Sequence, residues 1–473
     1  MTENFEMKIQ QSSQKNGGDY KPQVVVNNEK SESVSLDAVL EHFLNQLTKV
    51  EFGDTPKLRT VVVKASEELQ IKALKAGFYA KSTSTGDYIW NGKYYEKMPE
   101  DKLANFLKSC LLKMEAGTII SKYHKTLEDM VKQFRSTFYA PVLSPRKNVI
   151  NLWNGVLNVK TMTLEKHHHG YDMNYILGYS FDEDAECPMW DKYLARVLPC
   201  IESQMALQEY LAYPFTDKKL EKVAFLYGGG ANGKSVCLDV VRYCYGVNNV
   251  TSYSLESLCR PDGQYIPRII EAIMNICSDI SNKAINSEIF KLLASKEPIA
   301  GKELYKNPVI ISDYASLLFS TNEMPATTDY SNGYFRRLLI IPFLVEIPEG
   351  ERDVDLAKKI IANELSGVLN WILEGMIRLI TNELFTESEE MKETMTSFRT
   401  ESDSVLMFIE EKGYQKGLDQ KEQLKDLYIE YSCYCFESGF SKVSKRKFSD
   451  RLKNAGFQVE KSTGGNMYIF ISR

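Results

Sequence analysis

The sequence predicts an α/β fold with more than one domain, and three observations lead to that prediction. The chain has 473 residues, whereas a typical domain has about 150. Between residues 223 and 341, apolar runs of strand length alternate with stretches of helical spacing. A glycine-rich segment directly follows the first of these runs. We therefore expect an α/β core whose polar residues stand at the strand ends.

Composition excludes several classes of protein. Lys and Arg number 58 against 63 Asp and Glu, and the net charge of −5 excludes a protein that coats nucleic acid by overall positive charge. The nine cysteines form no CxxC pair, which argues against a zinc ribbon and predicts reduced thiols. No apolar run approaches the ~20 residues that span a bilayer, so we expect no membrane partner and a cytoplasmic location.

The N-terminal part of the chain divides into a tail and a mixed α/β unit. Residues 1–34 are polar and predict a disordered tail. An amphipathic helix begins at Ser35, whose hydroxyl suits the N-cap, and an Asn-Gly turn at residues 91–92 predicts a hairpin. Helical spacing over residues 99–114 and a strand and turn over 151–157 then follow. We place an N-terminal α/β domain at residues 35–184.

The glycine-rich loop is the most informative segment. The run Val223–Tyr227 predicts a strand, residues 228–235 read GGGANGKS, and residues 236–245 have helical spacing. This is the phosphate-binding motif G-x-x-x-x-G-K-S in its strand–loop–helix context. It predicts a nucleotide site, with Lys234 at the β and γ phosphates and Ser235 as a ligand of Mg²⁺. The alternative is a chance glycine-rich turn. The predicted nucleotide-binding residues are Gly228, Gly229, Gly230, Ala231, Asn232, Gly233, Lys234, Ser235 and Val236.

Two later strands end in polar residues that suit the same site. The run at residues 272–278 leads into Asp279, a carboxylate placed to hold Mg²⁺ through water, although an acidic turn residue is the alternative. The run at 315–321 leads into Asn322, whose amide could orient the attacking water against the γ-phosphate. No second acid adjoins Asp279. Either this residue both holds Mg²⁺ and activates the attacking water, or the base that activates the water comes from elsewhere.

A pair of arginines follows a loop at residues 329–335. Arg336 and Arg337 precede the strand 338–341 and suggest an arginine finger that completes the ATP site of a neighbouring copy. The alternative is a surface salt-bridge pair. With Lys234, Asp279 and Asn322, these arginines form the predicted catalytic set.

The order of these motifs resembles superfamily 3 helicases, in particular the replication helicases of phages, phage-like satellite islands and poxviruses. Lys234 and Asn322 are only 88 residues apart, and such compactness is typical of this group. Residues 185–190, 322–337 and 364–375 resemble the segments that precede, complete and follow its motor. The likeness covers roughly residues 85–455.

The resemblance implies an AAA+ ATPase that assembles as a ring, usually a hexamer, and moves along single-stranded DNA in its pore. The family carries a pore hairpin, which here falls on residues 297–311. Lys302, Tyr305 and Lys306 near its tip suit phosphate and base contacts, although an ordinary exposed hairpin is the alternative. Lys296 stands where relatives often have Gly before an acid.

The resemblance also divides the chain. Residues 35–184 would be a collar-like domain without a recognisable primase, 185–345 the AAA+ motor, and 346–402 a helical linker or lid. Within these segments, residues 189–213 predict one helical stretch and residues 355–384 predict a helix pair.

The last segment, residues 403–473, predicts a winged-helix domain, with a helix over 444–453 and two strands after it. From residue 440 to 473 there are eight basic residues and two acids, a local charge of +6. A basic helix of this kind suits the major groove of duplex DNA, although a solvated helix in a protein-interaction domain is the alternative. The predicted duplex-binding residues are Lys442, Lys445, Arg446, Lys447 and Arg451.

These predictions favour an ATP-dependent hexameric DNA helicase that initiates replication of a mobile genetic element, such as a phage or pathogenicity island, in a bacterial host. Its expected partners are single-stranded DNA in the pore, origin duplex DNA, further copies of itself and host replication proteins. One alternative is an origin-binding ATPase that switches assembly without processive unwinding. Another is a nucleotide-dependent scaffold with a degenerate motor.

Overall fold

The computed structural model describes residues 35–472 apart from 142, 144, 279, 281–283, 303–307, 328, 439, 441, 463 and 464, and without the side chains of 418–420. The predicted tail, residues 1–34, lies outside the described residues. Within the described part of the chain, no helix combines the length and the apolarity that a bilayer crossing requires.

The N-terminal domain packs helices against a small antiparallel sheet. Ser35 caps the first helix, as the sequence predicts, since its hydroxyl accepts a hydrogen bond from the N–H of Ala38 (3.2 Å). The predicted hairpin is also confirmed, and residues 91–94 form its turn. The elements are α1 (Leu36–Gln46), α2 (Leu58–Ala76), β1 (Ala80–Thr83), β2 (Gly86–Trp90), β3 (Tyr95–Met98), α3 (Glu100–Lys113), α4 (Thr118–Lys122) and α5 (His124–Thr137).

A second antiparallel sheet follows, and its apolar side chains join the core of the central domain. Its strands are β4 (Val149–Leu152), β5 (Gly155–Asn158) and β6 (Thr163–Glu165), which confirms the predicted strand and turn. Leu152 and Leu157 are fully buried in the same hydrophobic core as Trp190. This part of the predicted N-terminal domain is therefore continuous in packing with the central domain.

The helical stretch predicted over residues 189–213 is broken into two helices, α6 (Pro188–Val197) and α7 (Ile201–Ala212). The break falls at Leu198 and Pro199. Proline has no N–H to donate and disfavours helical geometry in the preceding residue, and Leu198 leaves the helical region (φ −137°). The prediction of one continuous stretch is wrong for this local reason.

A parallel sheet with a hydrophobic core on each face forms the central domain and confirms the α/β prediction. Its elements are β7 (Val223–Tyr227), α8 (Lys234–Cys244), β8 (Val250–Thr251), α9 (Leu255–Leu258), β9 (Met274–Cys277), α10 (Ser287–Ala294), β10 (Ile299–Gly301), β11 (Val309–Ile311), β12 (Ser316–Thr321), α11 (Asn332–Phe335) and β13 (Leu338–Pro342). The strand order is β13-β7-β12-β9-β8, while β10 and β11 pair separately. Because β7, β12 and β13 are buried on both faces, they read as apolar runs in the sequence.

The helix pair predicted after the sheet is confirmed as α12 (Leu356–Asn363) and α13 (Leu365–Asn382), and α14 (Glu389–Ser402) follows. The buried Glu364 accepts hydrogen bonds from the N–H groups of Met189 and Trp190 (both 3.0 Å), so it caps α6 from across the domain. Gly367 lies so close to the carbonyl of Glu186 that a Cβ would collide there. The segments at 185–190 and 364–375 therefore form one packing unit.

The C-terminal domain packs three helical segments on one face of a small antiparallel sheet of order β14-β16-β15. Its elements are α15 (Ser404–Glu411), β14 (Gln415–Gln423), α16 (Leu424–Glu437), α17 (Lys445–Asn454), β15 (Val459–Lys461) and β16 (Met467–Ser472). The predicted helix and final strand pair are confirmed. The edge strand β14 was not predicted, because its polar sequence shows no apolar alternation and it is held by main-chain pairing with β16.

Replacing Glu364 with Ala should destabilise the central domain by about 2 kcal/mol, because two N–H groups at the start of α6 would lose their acceptor. Urea unfolding followed by tryptophan fluorescence measures the change, since Trp190 and Trp371 pack together beside this cap (5.7 Å between ring centroids). Glu364→Gln keeps an acceptor oxygen and should lose less than half as much. Equal losses in the two variants would contradict the capping role.

Candidate nucleotide-binding site

The glycine-rich loop before α8 has a conformation that requires small residues. A Cβ on Gly228 would collide with the side chain of Asn232 and the carbonyl of Phe343. Gly230 (φ +111°) and Gly233 (φ +84°) have left-handed backbones. Such turns aim successive N–H groups to one side, next to the positive end of a helix. The loop therefore has the shape and polarity of a phosphate cradle.

Helix α6 supports this loop, and this contact was not predicted. The Tyr193 hydroxyl donates to the carbonyl of Gly233 (2.9 Å), and a Cβ on Gly233 would crowd Tyr193 and Val197. The sequence carries no local signal for it, because α6 lies outside the motif.

Lys234 and Asn322 meet beside the loop. The buried ammonium of Lys234 donates to the Gly228 carbonyl (2.7 Å), to Asn232 Oδ1 (2.8 Å) and to Asn322 Oδ1 (3.1 Å). Because β7 and β12 are parallel neighbours, their carboxyl ends lie at one edge of the sheet. A lysine ammonium beside a glycine cradle and a helix N-terminus fits the phosphates of a nucleotide.

The structure describes one of the two predicted magnesium ligands. Ser235 is exposed in the first turn of α8, directly after Lys234. Strand β9 pairs with β12 and ends at Cys277, so the chain reaches the same edge of the sheet two residues before Asp279. Asp279 itself lies outside the described residues, and its role stays a prediction. Hydroxyl and carboxylate oxygens are ligand types that suit Mg²⁺.

The paired arginines lie at the opposite edge of the sheet. The carbonyl of Arg337 accepts a hydrogen bond from the N–H of Val223 (2.8 Å), at the start of β7, whereas the phosphate loop follows the end of β7. The length of β7, roughly 13 Å at about 3.3 Å per residue, separates the two. Neither Arg336 nor Arg337 therefore lies at the phosphate loop of its own chain.

Both arginines pair with Glu221, which precedes β7 and was not predicted as a partner. The N···O distances are 2.6 Å for Arg336 and 3.4 Å for Arg337. Arg337 is buried and also donates to Ser295 Oγ at the end of α10 (2.8 and 3.0 Å). The Arg336 side chain remains 51% exposed. Within one chain both arginines therefore form salt bridges, as the alternative interpretation expects. Arg336 is in addition accessible to a neighbouring copy.

A further ion pair ties the segment before the arginines to α10. Lys291 on α10 pairs with Asp329 (2.5 Å). Burial opposes ionisation of Asp329, but hydrogen bonds from Lys291 and Ser331 outweigh it and hold the pKa of Asp329 below its usual value. Helix α10 is thus linked to both ends of the 329–337 segment.

The hairpin predicted over residues 297–311 corresponds to the antiparallel strand pair β10 and β11, and its place in a pore stays a prediction. Lys302 is exposed directly after β10, whereas Tyr305 and Lys306 lie outside the described residues. At the base of the hairpin, Lys296 has a left-handed backbone (φ +52°), a conformation for which glycine is the usual residue. Its ammonium donates to the carbonyl of Tyr314 (2.5 Å). Part of the residue is exposed, but its ammonium is enclosed. Burial lowers the pKa of Lys296 to about 7, although the negative charge of Asp313 acts in the opposite direction.

The basic residues predicted on the C-terminal domain fall into two groups. Lys442, Lys445, Arg446 and Lys447 are exposed on and before α17. Arg451, predicted with them, instead turns inward. Its guanidinium pairs with the buried Asp403 (2.8 Å) and lies 3.7 Å from the ring centroid of Tyr330.

Helix α14 adds another contact to the same segment of the central domain. Arg399 donates to Asn332 Oδ1 (3.1 Å) and lies 4.8 Å from the ring centroid of Phe335. Burial lowers the pKa of the Arg399 guanidinium. The chain that follows the sheet therefore holds the segment before Arg336 at two places.

Two family models each match about a quarter of the chain. Residues 77–199 match the family described as D5 N terminal like. Residues 226–337 match a family of unknown function, DUF5906. The second match begins in β7 and ends at Arg337, so it contains the phosphate loop, Asn322 and the paired arginines.

Similarity to individual proteins is more limited. A protein of Acanthamoeba polyphaga mimivirus named "Putative helicase L207/L206" is 27% identical over 130 residues, which are 26% of this chain and 14% of that protein. This chain therefore matches about one seventh of that relative's length. An apo structure of the NrS-1 C-terminal region covers 85% of this chain and 98% of its own, with 11% identity and a TM-score of 0.48. A second apo structure of that region covers 87% and 100%, with a TM-score of 0.46.

The free energy of unfolding of the parent protein should rise between pH 7 and pH 10, and Lys296→Met should show a smaller rise. The folded pKa of about 7 lies below the ordinary 10.5, so the folded state disfavours the charged ammonium. This penalty is full below pH 7 and disappears as the pH approaches 10.5, because the unfolded chain loses its proton there. Thermal unfolding midpoints across this range measure the effect, with Lys302→Met on the same hairpin as the control. An equal rise in the two variants would contradict the lowered pKa.

Proposed function

We propose that this protein is an ATP-dependent DNA helicase of the superfamily 3 type, which works as a ring in the replication of a mobile genetic element. The observation that carries the proposal is the meeting of Lys234 and Asn322 beside the glycine cradle. The D5 N terminal like match and the name of the mimivirus relative support the same class of protein.

In this proposal the carboxyl edge of the sheet binds and hydrolyses ATP. Lys234 and the N–H groups of the loop bind the phosphates, and Ser235 and Asp279 hold Mg²⁺. Mg²⁺, when bound, neutralises phosphate charge. Asn322 orients the attacking water, and its contact with Lys234 keeps the amide at the phosphate side of the strand end. The five-strand order, with β7 between β12 and β13, supports the AAA+ assignment.

The proposed ring follows from the position of the arginines. Arg336 is half exposed at the edge of the sheet away from its own phosphate loop. If it stabilises the transition state of hydrolysis, it does so in the site of an adjacent copy. A head-to-tail interface that closes on itself gives a ring, and we expect a hexamer. Arg337, buried against Ser295, positions this segment rather than reaching a neighbour.

DNA contacts are proposed at two places. The hairpin of β10 and β11, with Lys302, Tyr305 and Lys306, would contact a single strand in the pore. The exposed lysines and arginine around α17 would contact origin duplex. The order helix, strand, two helices, two strands in the C-terminal domain supports a winged-helix assignment. Arg451 is excluded from the duplex-binding set in this proposal, because Asp403 and Tyr330 already engage it.

Lys234→Ala and Arg336→Ala should each abolish most ATP hydrolysis, by about 10³-fold for the arginine, and a mixture of the two should regain part of it. In mixed rings, an intact phosphate loop of one variant faces an intact arginine of the other. At equal amounts about a quarter of the interfaces would be complete, so turnover should approach a quarter of the parent value. Steady-state ATPase rates over a series of mixing ratios measure this.

Arg260→Ala is the matched control, because Arg260 is also half exposed (50%) and ion-paired, with Asp262. It should keep parental activity. If the mixture of the two inactive variants stays inactive while both form the parental assembly, Arg336 does not act in a neighbouring site.

Lys302→Ala combined with Lys306→Ala should abolish strand separation and leave duplex binding within about twofold of the parent. Unwinding of a forked DNA with ATP and gel-shift affinity for duplex are the two measurements, run beside electron microscopy that counts subunits. The matched control is Lys358→Ala with Lys359→Ala on the exposed side of α12, which removes the same number of positive charges away from the hairpin. If the parent protein hydrolyses ATP but separates no strands, it is the origin-binding ATPase switch and not a helicase.

A further inference from the structure

The C-terminal sheet has one face on its hydrophobic core and one face turned away from it. On the central strand β16, Ile469 and Ile471 are buried among side chains of α15, α16 and α17. Tyr468 and Phe470 alternate with them and keep part of their surface exposed. The outer face of the sheet therefore presents two aromatic rings, two positions apart on one strand.

A lysine lies over both rings. Lys421 on β14 is paired in register with Phe470, and its ammonium is 4.8 Å from the ring centroid of Tyr468 and 5.3 Å from that of Phe470. Cation–π attraction holds an amine over the face of an aromatic ring at these distances. The rings and the amine form one compact patch, which we call the ring patch: Lys421, Tyr468 and Phe470.

Among the described side chains, the outer face of the sheet brings one acid next to the ring patch. Glu460 on β15 lies opposite Tyr468 and therefore shares that face with it. Lys461 on β15 and Lys416 on β14 lie opposite Met467 and Ile471, which belong to the inner face. The ring patch therefore offers two rings to a flat, apolar group and one ammonium to a phosphate.

We propose that the ring patch binds single-stranded nucleic acid, with bases stacked on Tyr468 and Phe470 and a backbone phosphate at Lys421. Partly exposed aromatic rings next to lysine are a combination that binds single strands with little sequence preference. Duplex DNA does not fit as well, because its base faces are already stacked inside the helix and closed to the rings.

This site is separate from the proposed duplex contact on α17. Phe448 and Leu452 of α17 pack into the core that the inner face of the sheet also covers. The ring patch lies on the other side of that sheet. The domain would then hold duplex on its helical side and a melted strand on its sheet side, which goes beyond the proposed function and does not depend on ATP hydrolysis.

The test uses the full chain without nucleotide and an oligothymidine in which some bases are 5-iodouracil, a group that crosslinks to stacked aromatic side chains on irradiation. Crosslinks should map by mass spectrometry to residues 467–472. Tyr468→Leu with Phe470→Leu should weaken binding of the single strand by about tenfold in fluorescence anisotropy and leave duplex affinity unchanged. Lys421→Glu keeps both rings and should weaken binding in the same way.

Phe436→Leu is the matched control, because Phe436 is 91% exposed on α16 of the same domain but away from the sheet. It should bind single strands as the parent does. Thermal unfolding midpoints identify any variant that fails to fold, and Lys421→Glu keeps the test decisive if the double leucine variant is unstable. Crosslinks confined to other segments, or single-strand affinity lost in Lys445→Glu with Arg446→Glu but kept in the ring-patch variants, would overturn the proposal.

Discussion

The parallel pairing of β7 with β12 is the interaction on which the rest of the candidate site depends. Phe319 lies in register with Phe225, and their rings pack 5.6 Å apart in the core. A slip of one residue would turn each side chain of β12 to the opposite face of the sheet. Asn322 would then leave Lys234, although both residues would keep their places in the sequence. Burial of the strand thus fixes the geometry of a polar contact at its tip.

The glycine loop takes its shape partly from segments outside its own motif. Asn232 Nδ2 donates to the Phe343 carbonyl (2.7 Å), and the N–H of Ile347 donates to the carbonyl of Ala231 (2.8 Å). The chain after β13 therefore borders the loop on one side, while Tyr193 of α6 borders it on the other. Helix α6 is in turn capped by Glu364. The conformation of the phosphate-binding loop therefore depends on α6, on Glu364 and on the chain after β13, all of which lie outside the motif.

Sequence reasoning succeeded where a local rule decides the structure. The strand, loop and helix around Lys234 follow from apolar runs and glycines, and the cap at Ser35 follows from a hydroxyl before an amphipathic helix. It failed where partners come from distant segments. No sequence pattern near Arg451 predicts its contacts with Asp403 and Tyr330. Likewise, no pattern near Glu221 predicts its pairing with two arginines. The edge strand β14 is held by its main chain, so its side chains carry no apolar pattern to read.

The placement of Arg336 and the phosphate loop at opposite edges of one sheet gives each copy two unlike ends. In the proposed assembly, an open row of copies always leaves one loop without an arginine and one arginine without a loop, whatever its length. A closed ring leaves neither. Every copy in such a ring points the same way, so the order in which sites follow one another around it is set by the fold of a single chain. The direction of that order in the proposed ring is therefore fixed by the structure of the monomer, before any two copies associate.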